Sequence, residues 1–132
     1  MIQFMVDTNI CIYALSGRHQ DVAEMFGKHA GLICISSVTL AELEYGVSHS
    51  SRPAQNRASV DRFLVELDVV PFDASAAVAY GDIKHRLFAA GTPIGPLDML
   101  IAAHARSLDF TLVTNNRREF DRIPGLRLEK WV

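Results

Sequence analysis

The segment QFMVDTNICIYAL, residues 3–15, places one acidic residue between a predicted strand and a predicted helix. Gln3 to Val6 is a short apolar run typical of a buried strand, and Asn9 to Leu15 has a helical pattern. Asp7 directly follows the strand. Aspartate is a common N-cap residue of helices, so its position alone does not give Asp7 a chemical role.

The alternation of strands and helices continues along the chain. Further strands are predicted at Leu32–Ile35, Val69–Phe72, Thr111–Thr114 and Leu126–Leu128, and further helices at Asp21–Lys28, Ser37–Ser48, Ala54–Leu67, Ala74–Ala90 and Pro96–Leu108. Alternating strands and helices need crossover connections, which produce a mainly parallel sheet covered on both faces. We therefore predict a three-layer α/β/α fold with a central, mainly parallel sheet of four or five strands, in one domain over residues 1–132. Ligands of such sheets bind beyond the carboxyl ends of the strands.

Composition and charge exclude several classes of protein. The 132 residues are 49% hydrophobic and 21% charged, which is typical of a globular domain and not of a disordered chain. The longest run without charge or histidine, Ala30 to Ala41, is too short to span a membrane, and Met1 to Val6 does not resemble a signal peptide. Cys11 and Cys34 lie in apolar stretches, as expected for buried thiols in a reducing cytoplasm. The net charge of −2 lacks the basic excess that typically indicates nucleic-acid binding.

Four acidic residues lie near the ends of different predicted elements. Asp7 follows the first strand, Asp98 lies in the first turn of the last predicted helix, and Glu119 follows the fourth strand. Glu42 lies within the third helix, although periodicity does not choose between it and Glu44. Each acid also has an ordinary structural interpretation, as an N-cap, a complement to the helix dipole or a solvated side chain.

Convergence of these acids would create a site for a divalent cation. Carboxylates that share a partly dry cleft repel one another, so either their pKa values rise or a cation neutralises them. Oxygen ligands favour Mg²⁺ or Mn²⁺ over zinc, and Mg²⁺ takes only one or two direct carboxylates. A water of lowered pKa in such a site can attack a phosphodiester in line. The acids therefore predict metal-dependent phosphodiester hydrolysis.

Four segments carry a resemblance that spans essentially the whole chain. They are FMVDTNICIY around Asp7, CISSVTLAELEYG around Glu42, PIGPLDMLIAAHARS around Asp98, and LVTNNRREFDRIPGLRLEKW from Leu112 to Trp131. In combination they resemble the VapC-type PIN-domain ribonuclease toxins of type II toxin–antitoxin systems. The resemblance implies a PIN-like fold in which Asp7, Glu42 and Asp98 organise Mg²⁺, with Asp7 and Asp98 as its direct ligands. It also implies that Thr114 orients this cluster.

The sequence departs from the family pattern at one acidic position. The fourth acidic position of many PIN domains falls at Asn116, which carries no charge, and Glu119 is expected to supply the missing carboxylate. The departure leaves the number of metal ions open. It also leaves a second hypothesis, in which the chain is a catalytically weak PIN-like binding module acting through an antitoxin and operator DNA.

The resemblance further implies substrates and partners. It indicates cleavage of tRNA, with the anticodon stem-loop of initiator tRNA as the preferred substrate. It implies a homodimer and a cognate VapB antitoxin whose tail covers the active cleft, with DNA contacted only through that antitoxin. No membrane association is expected. Cleavage of DNA or of flap structures, as in other PIN-like nucleases, is a weaker alternative.

Arginines and histidines complete the candidates for RNA chemistry. Arg117, Arg118 and Arg122 cluster after the fourth strand, and arginine can bind phosphate with two parallel hydrogen bonds, so these residues are candidate RNA contacts. A metal-independent ribonuclease would instead use histidine as general acid and base. The five histidines share no motif, and His104 lies on a helix side with apolar residues, so we expect it to be a core or interface residue.

Overall fold

The computed structural model describes all residues from 1 to 132 and contains one five-stranded sheet. Its strands are β1 (Phe4–Val6), β2 (Ile33–Ser36), β3 (Asp68–Val70), β4 (Thr111–Val113) and β5 (Arg127–Glu129). They are all parallel, in the spatial order β3-β2-β1-β4-β5. The predicted α/β fold with a mainly parallel sheet is therefore confirmed. Pro71 lies just beyond β3, an edge strand, where its missing N–H removes no ladder hydrogen bond.

Seven helices cover the sheet. They are α1 (Thr8–Ser16), α2 (Gln20–Lys28), α3 (Ser37–His49), α4 (Pro53–Val65), α5 (Ala74–Ala89), α6 (Pro96–Ser107) and α7 (Arg117–Phe120). The first six correspond to predicted helices, and each boundary differs from its prediction by at most two residues. The seventh was not predicted, because four residues are too few to show a helical period. None of the helices combines the length and the apolar character that a membrane span requires.

Side-chain alternation along the strands divides the core into two layers. Met5, Cys34 and Leu112 point to the face covered by α5 and α6. Their neighbours in sequence, including Val6 and Val113, point to the opposite face with the residues of α1 to α4. Successive side chains of an extended chain point to opposite faces of the sheet. Asp7 and Thr114, which directly follow β1 and β4, lie two positions beyond Met5 and Leu112, so they are expected to point to the same face, towards α5 and α6.

The strand order creates a crevice at the end of β1. From β1 the chain moves outward through β2 to β3, and it later returns on the other side to form β4 and β5. The order therefore reverses at β1, which pairs with β4 on one side and β2 on the other. Open parallel sheets bind their ligands at such a switch point, outside the carboxyl ends of the strands.

Candidate active site

Asp7 lies at the switch point, at the junction of β1 and α1. It is 3% exposed, and its backbone N–H donates to the carbonyl of Val113 on the neighbouring strand at 3.0 Å. Its side chain caps α1 by accepting a 2.9 Å hydrogen bond from the N–H of Ile10. Burial raises the pKa of Asp7, hydrogen bonds from Thr114 and Ile10 partly offset this, and the charge of Glu42 raises it further. Asp7 is thus both the predicted N-cap and a buried acid.

Asp98 is the acid whose pKa is affected by the charges of the other three predicted acids. It lies in the first turn of α6 and is half-buried. Its pKa is raised to about 6, first by burial and then by the negative charges of Asp7, Glu119 and Glu42. The negative charges of Asp7, Glu42 and Glu119, which lie in other parts of the chain, therefore reach Asp98 near the end of the sheet.

The structure separates Glu42 from Glu44, which periodicity could not. Glu42 Oε1 accepts a 2.6 Å hydrogen bond from the hydroxyl of Thr8, the residue after Asp7. Glu44 instead forms an ion pair with Arg57 of α4, with 2.5 Å between Nη1 and Oε2. The two acids lie about 200° apart around α3, so only one of them can face α1 and the sheet end. That residue is Glu42.

The segment after β4 supplies Thr114, Asn116 and Glu119. Thr114 is fully buried, and its hydroxyl oxygen accepts the N–H of Asn116 at 2.9 Å, which leaves the hydroxyl hydrogen for Asp7. Asn116 occupies the N-cap position of α7 without a capping hydrogen bond from its side chain. Glu119 lies in α7, half-buried, and contributes to the raised pKa of Asp98. Thr114 therefore contacts Asp7, the residue that it was expected to orient.

The three candidate arginines lie on or just after α7 and are all exposed. Arg117 Nη2 lies 3.7 Å from Asp121 Oδ1, and Arg122 donates to the carbonyl of Pro93 at 3.2 Å. Arg118 makes no ion pair with a carboxylate of the chain. These side chains form a positively charged border next to Glu119, and the guanidinium of Arg118 is available to an external anion.

The donor set fits a divalent cation held by few protein ligands. No three side chains of His, Cys, Asp or Glu lie close enough together to form a metal cage. Mg²⁺ is ordinarily held by one or two carboxylates and keeps several waters, so such a cage is not required. The carboxyl groups of Asp7 and Asp98 are oxygen donors whose raised pKa values a nearby cation would lower. These residues therefore fit Mg²⁺ or Mn²⁺.

Sequence reasoning missed Thr8 and the cavity that it lines. The hydroxyl of Thr8 lies 3.4 Å from that of Thr39 and also holds Glu42, which is 34 residues away in the chain. The cavity has a volume of about 820 Å³, and among its lining residues are Thr8, Ile12, Glu42, Tyr45 and Leu97. Three of these are exposed apolar or aromatic side chains, Ile12, Tyr45 and Leu97. No local pattern indicates contacts across such separations.

Comparison with known proteins identifies the family of this chain. The model of the PIN domain family matches residues 4–126, so the chain belongs to the PIN-domain family. The tRNA(fMet)-specific endonuclease VapC of Shigella flexneri is 47% identical over 131 residues, covering 99% of both chains. Ribonuclease VapC2 of Haemophilus influenzae is 43% identical over the full length of both. Within the family, the chain therefore groups with the VapC ribonucleases, and the resemblance predicted from its motifs is confirmed.

Solved structures give the same result. A chain of the DNA-bound VapBC complex of Salmonella typhimurium has a TM-score of 0.96 and 45% identity, with 100% of both chains covered. A chain of VapBC2 from Rickettsia felis, bound to a DNA fragment from its promoter, has a TM-score of 0.94 and 43% identity over the same coverage. The predicted PIN-like fold is confirmed.

Proposed function

We propose that this VapC endoribonuclease is a divalent-metal-dependent toxin that hydrolyses tRNA, with initiator tRNA as its preferred substrate. The observation that carries the proposal is the placement of Asp7, which is 3% exposed at the carboxyl end of β1, with Glu42 hydrogen-bonded to the adjacent Thr8. The raised pKa of Asp98, to which burial and the charges of the other acids contribute, supports it. We further propose that residues 1–132 form one PIN domain. The substrate preference rests on similarity to the Shigella flexneri relative, which is named for tRNA(fMet).

Each acid has a distinct part in the proposed mechanism. Asp7 and Asp98 are the metal ligands, and Glu42 and Glu119 add negative charge around them. A bound Mg²⁺ or Mn²⁺ would supply an activated water and neutralise charge on the phosphate. Thr114 and the N–H of Ile10 hold the carboxylate of Asp7 in one orientation. Asn116 adds a neutral side chain where other PIN domains carry a fourth acid.

The surrounding side chains bind and orient the RNA. Arg117, Arg118 and Arg122 contact phosphates next to the acid cluster, which compensates for the repulsion between RNA and four carboxylates. Thr8 keeps the carboxylate of Glu42 directed towards the site through its 2.6 Å hydrogen bond. Histidine acid–base catalysis is disfavoured for His104, which is 1% exposed.

A VapB antitoxin is the proposed inhibitor and the proposed route to operator DNA. The related chains from Salmonella typhimurium and Rickettsia felis occur in VapBC complexes with DNA. In our proposal the antitoxin's tail covers the acidic cleft, and a basic side chain of the tail offsets the negative charge there. We also propose a homodimer. Val78 and Phe88 of α5, which are 76% and 55% exposed, support it because they provide apolar area for a second copy.

Cleavage of purified initiator tRNA tests the proposal. We expect cleavage with Mg²⁺ or Mn²⁺, none after EDTA treatment, and loss of cleavage in a folded Asp7→Asn variant. Cleavage that persists in EDTA, or products ending in a 2′,3′-cyclic phosphate, would contradict hydrolysis by a metal-activated water. Elongator tRNA, single-stranded DNA and flapped DNA serve as comparison substrates. Preferred cleavage of flapped DNA would replace the ribonuclease proposal with the DNA-nuclease alternative.

Metal binding separates an active enzyme from a catalytically weak binding module. The acids of an active site should bind Mg²⁺ at millimolar concentration, and the Asp98→Asn variant should bind it more weakly. Isothermal titration calorimetry of both proteins measures this directly. Absence of binding to the unsubstituted protein would favour the binding-module hypothesis that Asn116 motivates.

A further inference from the structure

His104 is a buried polar side chain that links two acid-bearing helices. It lies in the C-terminal half of α6 and is 1% exposed, and its Nδ1 lies 2.8 Å from the hydroxyl oxygen of Ser36, 68 residues away. Its Nε2 makes no hydrogen bond of ordinary geometry, and the backbone of Pro71 is its weak partner. A poorly paired buried nitrogen costs stability that an apolar side chain would not, so the interest of a histidine here lies in its other nitrogen, Nδ1.

Ser36 is the residue on which α3 begins. It ends β2, is fully buried, and accepts the N–H of Val38 at 3.0 Å as the N-cap of α3. The hydroxyl hydrogen of Ser36 can be donated to Nδ1 of His104 when the imidazole is neutral and carries its proton on Nε2. The contact of the ring with the backbone of Pro71 favours this tautomer, since a carbonyl can only accept. One hydroxyl thus serves both the cap of α3 and the contact with α6.

The two linked helices carry two of the four acids. Asp98 lies six residues before His104 on α6, and Glu42 lies six residues after Ser36 on α3. Each acid is therefore about 9 Å along its helix from the linking hydrogen bond. The position of α3 relative to α6 sets the distance between Glu42 and Asp98, whose charges act on each other.

We propose that His104 is a positioning residue that, through Ser36, fixes α3 against α6 and so sets the spacing of Glu42 and Asp98 around the metal site. The proposal rests on the proposed function of these acids. His104 itself does not contact the site, and its effect depends on its Nδ1 acceptor. An apolar side chain of similar size would fill the space without fixing the hydroxyl of Ser36.

Substitutions at both ends of the hydrogen bond test this role. In His104→Leu the acceptor is removed, whereas in His104→Asn the amide oxygen can occupy the position of Nδ1. Ser36→Ala removes the donor, and Ser36→Ala combined with His104→Leu closes a double-mutant cycle. Ile83→Ala is the matched control, since Ile83 is a fully buried residue of α5 in the apolar cluster to which residues of α6 also belong. Circular dichroism and urea unfolding identify a temperature at which all variants are folded.

Two measurements report the position of the acids. The first is steady-state cleavage of initiator tRNA, and the second is the dissociation constant of Mn²⁺ alone, from electron paramagnetic resonance of RNA-free protein. We expect His104→Leu to lower kcat about tenfold or more with KM within about twofold, because small displacements in a site have large effects on rate. The same variant should bind Mn²⁺ more weakly. His104→Asn should recover most of both losses, and the double variant should be no worse than His104→Leu.

Several outcomes would overturn the inference. A folded His104→Leu protein with unchanged kcat and Mn²⁺ affinity would show that His104 only packs. Equal loss of kcat in Ile83→Ala would assign the effect to general destabilisation. If initiator tRNA were not cleaved, the proposed function would be wrong, but Mn²⁺ binding would still test the role of the His104–Ser36 hydrogen bond. If Asp98→Asn abolished cleavage and His104→Leu left it unchanged, the proposed function would stand and only the positioning role of His104 would be rejected. Failure of the unsubstituted protein to bind millimolar Mn²⁺ would reject both.

Discussion

The hydroxyl of Thr8 donates a 2.6 Å hydrogen bond to the carboxylate of Glu42, and this contact joins the start of α1 to α3. Thr8 follows Asp7 directly, so the same chain segment that carries one buried acid holds a second one in place. Glu44, two residues further along α3, pairs with Arg57. Two neighbouring glutamates of one helix therefore have different surroundings, and they form a matched pair for experiment.

We expect Glu42→Gln to lower kcat on tRNA about a hundredfold, because it removes a charge from the site. Glu44→Gln should leave kcat within about twofold, since exposed ion pairs contribute little and Arg57 also contacts Asp61. Initial rates at saturating Mg²⁺ measure both effects. Equal rates for the two variants would remove Glu42 from the proposed site.

Ionisation of Asp98 should make the metal-free protein less stable as the pH rises. Its pKa is raised from 3.8 to about 6 in the folded state, so the folded chain binds the proton more tightly than the unfolded chain. The stabilisation from this proton is complete below the unfolded pKa and is lost as the pH rises through about 6. Asp98→Asn should therefore be the more stable protein at pH 8 in EDTA.

Urea unfolding of both proteins in EDTA at pH 5 and pH 8 measures this difference. The free energy of unfolding of Asp98→Asn relative to the unsubstituted protein should increase between the two pH values. Saturating Mg²⁺ at pH 8 should reverse the order, because the protein that retains the carboxylate binds the ion more tightly and is stabilised more. A difference that is independent of pH would mean that neither burial nor the other acids raise the pKa of Asp98 in the folded protein.

Glu119 and Asn116 should be partly interchangeable. Glu119→Gln is expected to lower kcat about tenfold, because Glu119 contributes to the negative charge around Asp98. Adding Asn116→Asp to this variant restores a carboxylate next to Thr114 and should recover activity at saturating Mg²⁺. The comparison needs kcat for both single variants and the double variant. If Asn116→Asp failed to rescue, Glu119 would act by something other than its charge.

Arg118 should affect binding of RNA and not the chemical step. Arg118→Ala is expected to raise KM several-fold with little change in kcat, and to reduce the dependence of binding on salt by about one phosphate contact. Arg86→Ala is the control, since Arg86 is also exposed but pairs with Asp82 on α5. Both arginine substitutions are made in the cleavage-deficient Asp7→Asn protein, and the binding constant for tRNA is measured at several salt concentrations. If the binding constant depended on salt concentration equally in the two arginine variants, a phosphate contact by Arg118 would be excluded.

Much of the fold could be predicted because its elements have regular patterns. Predicted strands such as Leu32–Ile35 and Thr111–Thr114 are mostly apolar runs, and they correspond to β2 and β4 with boundaries shifted by at most one residue. Helix α7 was not predicted because its four residues show no period, although Phe120 is buried in the core. Most differences at element boundaries reflect end residues whose hydrogen bonds depend on capping rather than on pattern.

The net charge of −2 also has a different meaning once the acids are located. As a total, it gave no indication of nucleic-acid binding. In the structure, three other acids act on Asp98, and the exposed Arg117 and Arg118 lie on α7 with Glu119. A charge total does not record where charges lie, and the attraction of phosphate depends on local arrangement.

The sequence by itself determined the order of strands and helices, the acids that follow them and the family, since these depend on local pattern and motif. The family motif already selected Glu42 over Glu44, which periodicity could not do. Only the tertiary structure decided that Thr8 holds Glu42, that Glu44 pairs with Arg57, and that His104 contacts Ser36. The physical reason is that the first and last of these contacts join residues 34 and 68 positions apart. They depend on how each helix is rotated and packed against its neighbours, which hydrophobic periodicity alone does not specify.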